Sequence, residues 1–174
     1  MKLSEINNGK IFNVAGFDLT KVAEDNGKTI AVFADVVFDT EFGKNNNFAE
    51  SDILHRLNDE ILPKITAVVG DENVLEFETD LTSLDGLKTH GSVKSRIAIP
   101  TFDFYRNNVS VFDEHKIDKW WWLATPDTTR EHCNDKWIVC VSPDGHVRND
   151  YYHYYGGVRP VLTFVSDISV SCED

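Results

Sequence analysis

Residues 29–38 read Thr-Ile-Ala-Val-Phe-Ala-Asp-Val-Val-Phe. This nearly unbroken β-branched and apolar run is what a strand buried on both faces requires, and it predicts a central strand. Asp25-Asn26-Gly27-Lys28 supplies a strong turn just before it. The apolar-rich stretches 10–14 and 17–22, parted by Ala15-Gly16, lead into that turn as a β-meander. The chain has 174 residues, the length of one domain spanning 1–174, and its 41% hydrophobic and 26% charged content lies near globular averages. A sizeable core is expected, and wholesale disorder is excluded.

Ser51 sits where a helix N-cap belongs, with Asp52 favourable in the first turn. At 100° per residue Ile53, Leu54, Leu57 and Ile61 fall on one face, and Pro63 is expected to end or kink the helix. Residues 74–81 alternate, which predicts a half-buried strand. Leu75, Phe77 and Thr79 take one side, and Glu76, Glu78 and Asp80 form an acidic outer ladder. Residues 81–95 read as a loop, and 102–112 as a short helix or irregular segment. Strands dominate from Trp120 onward. An aromatic strand Trp120 to Pro126 is followed by a polar loop, a strand over 137–141 and a turn at Ser142-Pro143-Asp144-Gly145. Tyr151-Tyr152-His153-Tyr154-Tyr155, Gly156-Gly157 and a final run over 158–165 complete this half.

The order of these pieces carries a family resemblance. Ser95-Arg96-Ile97-Ala98-Ile99-Pro100, Trp121-Trp122-Leu123-Ala124-Thr125-Pro126, Val141-Ser142-Pro143-Asp144-Gly145 and Gly157-Val158-Arg159-Pro160-Val161-Leu162 follow the meander and helix in one direction. Over residues 9–165 the chain resembles a domain family of unknown function, widespread in bacterial and phage genomes and related to C-type-lectin-like folds. The most specific parts are Trp-Trp-Leu-x-x-Pro and, some 30 residues later, Gly-Val-Arg-Pro.

The resemblance implies an α+β, C-type-lectin-like domain with short mixed or antiparallel strands, one main helix and a loop-rich C-terminal half. It also implies a phage or prophage product that recognises a ligand. Ala124 stands where relatives carry Arg, and Asp127 where they often carry Gly. The kinship extends to sulfatase-modifying oxidases, but Cys133, Cys140 and Cys172 do not reproduce their reactive pair. Asn134-Asp135-Lys136-Trp137 likewise departs from the calcium motif of animal lectins.

Strand alternation sends either Trp121 or the pair Trp120 and Trp122 to the core. An exposed indole there would stack on a sugar or fill a partner's pocket, which makes Trp120 and Trp122 candidate contacts. Tyr151, Tyr152, His153, Tyr154 and Tyr155 cannot all enter one core. Tyrosine supplies rigid contact area with a hydroxyl at small entropic cost, so this string is the main candidate binding surface. Trp121, Trp122 and the stretch 157–162 are expected as neighbours in one sheet, which gathers the intervening loops at one rim. Arg159 reads as a staple for carbonyls or an Asp, and His132, His146 and His153 as surface histidines.

No Walker loop, dinucleotide fingerprint, zinc-protease motif or nucleophile elbow is present. The expectation is therefore a protein that is not an enzyme, with no cofactor and no metal. The net charge of −12 argues against gripping nucleic acid or anionic lipid through a general positive field. Residues 1–87 carry 7 basic and 17 acidic side chains, whereas 88–174 carry 10 and 12. That asymmetry supports an alternative, an anti-CRISPR-like inhibitor from a phage or mobile element whose acidic surface, Glu76, Glu78 and Asp80 included, blocks a host defence nuclease. Sparse cysteine, with neither a signal-like apolar stretch nor a membrane-length run, places the expected protein in the bacterial cytoplasm or on a virion. The expected partner is a protein or a glycan, with no membrane and no direct nucleic-acid contact.

Overall fold

The computed structural model describes residues 1–172. β1 (Ile11–Val14), β2 (Phe17–Asp25) and β3 (Lys28–Phe33) form the meander. Val14 pairs with Phe17 and Asp25 with Lys28, leaving two-residue turns at Ala15-Gly16 and Asn26-Gly27, and all four turn residues have positive φ. That geometry suits the twist of a tight hairpin, and Asn-Gly adopts it at small cost.

The run 29–38 is not one strand. β3 does lie centrally, between β2 and the last strand, β13 (Val161–Val165). The chain then leaves the first sheet at 34–37, and β4 (Phe38–Thr40) becomes an edge of a second sheet. Asp35 breaks the apolar series there, its carboxylate accepting from the Val36 N–H at 2.7 Å.

The helical segment begins at Ser51, whose Oγ accepts from the Leu54 N–H at 3.1 Å. It runs as α1 (Asp52–Arg56), a π turn (Leu57–Ile61) and α2 (Leu62–Val69). Pro63 therefore does not end the helix. Proline lacks an N–H and crowds the carbonyl four residues back, and the wide turn just before it accommodates both defects. Ser51→Ala is expected to lower the unfolding free energy by about 1–2 kcal/mol in denaturant titration, because the buried cap also donates to the Phe48 carbonyl at 2.7 Å.

The strand expected over 74–81 splits at Glu76. β5 (Val74–Leu75) pairs with β13, whereas β6 (Phe77–Asp80) forms a separate hairpin with β7 (Ser92–Ser95), inside the segment read as a loop. β8 (Ile97–Ala98) also pairs with β13. Two short helices follow, α3 (Phe102–Asn107) and α4 (Val109–Glu114).

The second sheet has the order β11 (Val147–Tyr151), β10 (Trp137–Val141), β9 (Trp121–Pro126), β12 (Gly156–Val158), β4. Gly157 lies beside Trp121, as expected, but Val161 and Leu162 belong to the first sheet. The chain crosses between sheets at Arg159-Pro160, alongside the crossing at 34–37. Phe33 N–H donates to the Pro160 carbonyl and Val37 N–H to that of Val158. The result is a mixed α+β fold, mostly strands, with one main helix.

Every residue of β9 is buried. Trp122 and Ala124 join the larger core, which includes Ile53, Leu57, Phe33 and Phe164; Trp121 and Leu123 join a smaller one with Val32, Tyr105, Phe112 and Val139. Among the described residues no helix is long and apolar enough to cross a membrane.

Candidate recognition surface

Antiparallel pairing sets Trp137, the first residue of β10, directly opposite Tyr151, the last of β11. Pro126 pairs with Ile138, so the loop 127–136 and the turn after Tyr151 leave the second sheet at the same end. The turn closes through the Tyr154 N–H on the Tyr151 carbonyl at 2.9 Å, and the Tyr152 N–H donates to the Lys136 carbonyl at 3.0 Å.

The rings form a contiguous chain. Trp137 meets Tyr151 edge to face at 5.3 Å between centroids, and Tyr151 stacks on Tyr152 at 5.0 Å. His153 stands edge-on to Tyr151 at 4.2 Å and lies 4.7 Å from Tyr154. Such contacts are worth about 0.5–1.5 kcal/mol each beyond burial, so they order the turn. Tyr152 packs against the main core, while Tyr154 is 53% exposed, Tyr155 74% and Trp137 36%.

Trp120 is 47% exposed but lies at the other end of β9, next to Gly157, whose N–H donates to its carbonyl at 2.8 Å. It makes no ring contact with the tyrosines among the described residues. The expectation that Trp122 meets a partner is corrected. It is 1% exposed, its Nε1 donates to the Thr40 carbonyl at 3.1 Å, and its ring packs edge to face on Phe42 at 5.8 Å. Both Trp121 and Trp122 are enclosed because β9 is covered on its two faces.

Trp137 escaped notice in the sequence because its role depends on register. The signal was present as an aromatic opening a strand, with a tyrosine closing the strand after it.

An open pocket of about 560 Å³ adjoins Trp137, lined in part by Asp85, Thr128, His132 and Asn149. Thr128 Oγ1 donates to Asp85 Oδ2 at 2.6 Å, and His132 Nδ1 lies 2.7 Å from the same oxygen. Hydrogen bonds from Ser83, Thr128 and His132 hold the Asp85 carboxyl well below the usual carboxylate range. These contacts tie loop 127–136 to the segment around Asp85. Cys133 Sγ lies 4.0 Å from the same His132 nitrogen. That nitrogen faces Asp85 at much closer range, so the pair is not arranged as an activated thiol.

Cys140 is buried, and burial pushes its thiol up to about 12. Iodoacetamide at about pH 8 is expected to alkylate exposed Cys133 in the folded protein and spare Cys140 until denaturant is added, as read by peptide mass; equal rates in the folded state would contradict this burial.

Arg159 is enclosed, donating from Nε to the Phe33 carbonyl at 2.7 Å and from Nη2 to that of His115 at 3.2 Å. Its guanidinium lies over Phe112 and Trp121, and burial lowers its pKa to about 10. It staples the crossing between the sheets. His132, His146 and His153 are exposed.

Glu76, Glu78 and Asp80 are exposed, as the alternation predicts. Glu78 lies opposite Lys94 and accepts from Ser92 Oγ, and Asp80 accepts from the Thr82 N–H at 2.9 Å and from its hydroxyl at 2.6 Å. Among the described residues no group of three or more His, Cys, Asp and Glu side chains converges as metal ligands would.

Comparison of the chain with family models, with curated proteins and with solved structures finds no match.

Proposed function

We propose that this chain is a non-catalytic recognition module of phage or prophage origin. It binds a protein or glycan through Trp137, Tyr151, His153, Tyr154 and Tyr155. The observation that carries the reading is the chain of touching rings from Trp137 through Tyr151 and His153 to Tyr154 at one end of the second sheet, with Tyr154 turned to solvent and the exposed Tyr155 following it toward β12. Rigid aromatic side chains with polar tips bind at low entropic cost, and their mutual packing pre-pays part of the ordering. A C-type-lectin-like arrangement belongs to the same proposal. It is supported by a main helix packed against one sheet, and by a second sheet whose loops emerge together.

The test is capture of partners from bacterial lysate and on a glycan array, at low and high salt, with the wild-type chain and a Tyr154→Ala/Tyr155→Ala variant. Capture that survives salt and is lost in the variant supports the proposal. Capture that collapses with salt and ignores the tyrosines overturns it in favour of the acidic inhibitor, because interactions between exposed charges are screened within about 10 Å at 0.1 M salt.

A further inference from the structure

We propose that Asn46 is a positioning residue of the recognition surface: its side-chain amide fixes loop 127–136 and Trp137 in the pose that meets a partner. This role presupposes the recognition reading and names the residue that holds the surface ready.

Residues 43–47 read Gly-Lys-Asn-Asn-Asn, and the three asparagines do different things. Asn45 Oδ1 accepts from the Asn47 N–H at 2.8 Å, and Asn47 Oδ1 accepts from the Ala49 N–H at 3.1 Å, so both serve their own turn. Asn46 points away from it and is fully buried. Its Nδ2 donates to the Thr128 carbonyl at 2.8 Å and to the Trp137 carbonyl at 2.9 Å, at the two ends of the loop. Its backbone N–H donates to the Asp135 carbonyl at 2.9 Å.

A carbonyl only accepts, so these two side-chain bonds identify the amide nitrogen and leave Oδ1 facing His90 Nε2 at 3.0 Å. His90 therefore carries its proton on Nε2 and donates it. Burial lowers the His90 pKa against the pull of Glu131, Glu50 and Asp135, which keeps the ring neutral at pH 7. Both protons and the oxygen of a buried amide are thus engaged, and losing any one of them is costly in low dielectric.

Asp85 holds Thr128 and His132, but it does not reach Trp137. Among the described residues Asn46 is the side chain that hydrogen-bonds both ends of the loop, and so it sets where the first ring of the aromatic chain stands. A loop left free would have to be ordered on binding at the expense of affinity, and fixing it beforehand removes that cost.

Asn46→Asp tests this, because it keeps the shape and the bond from His90 but has no protons for the two carbonyls. In the free full chain, followed by amide hydrogen exchange in NMR, the His132 and Cys133 N–H groups that bond the Thr129 carbonyl should exchange about tenfold faster or more, and the Trp137 indole resonance should shift. Amides of β3 and β13 should exchange as in wild type. His90→Phe, which removes the donor to Oδ1, should give a smaller increase in the same direction, and His90→Gln, which returns an N–H, should reverse it; this pair decides the matter should Asn46→Asp fail to fold. Equal acceleration in the loop and in β3 and β13, or none in the loop, overturns the proposal. In capture from lysate and on the glycan array at high salt, Asn46→Asp should bind about tenfold more weakly than wild type. Full binding by Asn46→Asp beside loss in Tyr154→Ala/Tyr155→Ala overturns the positioning role and leaves the recognition reading standing, whereas full binding by both variants overturns the reading itself.

Discussion

Trp122→Ala is expected to lower the unfolding free energy by about 3–5 kcal/mol, the range for deleting a buried aromatic ring. The indole is 1% exposed, packs on Phe42 and hydrogen-bonds the Thr40 carbonyl, so alanine leaves a cavity and an orphaned acceptor together. It also removes the surface on which β12 rests. A Cβ at Gly156 would lie 2.6 Å from the Trp122 ring, and one at Gly157 would lie 2.5 Å from Val36 and 2.9 Å from the Trp120 carbonyl, so backbone and indole meet without a side chain between them. Against a total stability of roughly 5–15 kcal/mol, the loss is a large fraction of what holds a domain folded. Denaturant titration followed by circular dichroism measures it, and a loss under about 1 kcal/mol would contradict the packing described.

Tyr154→Ala/Tyr155→Ala is expected to do the opposite. These rings are more than half exposed, so the stability cost should be about 1 kcal/mol, that of the lost Tyr154–His153 contact, and well below that of Trp122→Ala. Partner affinity should fall by at least about 2 kcal/mol, near thirtyfold, as for aromatic hot spots at an interface. The two variants separate roles that look alike in sequence. Trp122 sustains the fold and leaves binding of the surviving folded fraction intact, and the tyrosines do the reverse. Parallel calorimetry of unfolding and of binding reads both, and unchanged affinity in the tyrosine variant would remove those residues from the interface.

What was legible in the sequence was local. Asn26-Gly27 makes a two-residue turn because its backbone preference is intrinsic, and Ser51 caps a helix because its oxygen needs to reach only three residues onward. The outward ladder Glu76, Glu78, Asp80 followed from strand periodicity alone. Features that depend on which strands meet were not legible. The apolar run 29–38 held no sign that its second half would join another sheet, since both halves are equally fit for a buried strand. Simple alternation assigned Trp121 and Trp122 to opposite faces, and it did so correctly. What it lacked was that helix and sheets cover both faces, which leaves Trp122 no surface to offer. Trp137 became part of the candidate site only through its register with Tyr151, a relation across two strands.

Hydroxyl-radical footprinting of the complex captured by the wild-type chain tests the central claim most directly. Protection of Trp137, Tyr154 and Tyr155 on binding, with Glu76, Glu78 and Asp80 as reactive as in the free chain, is the expected result. Unchanged oxidation of the three aromatic rings, with protection confined to the β6–β7 hairpin, would contradict it.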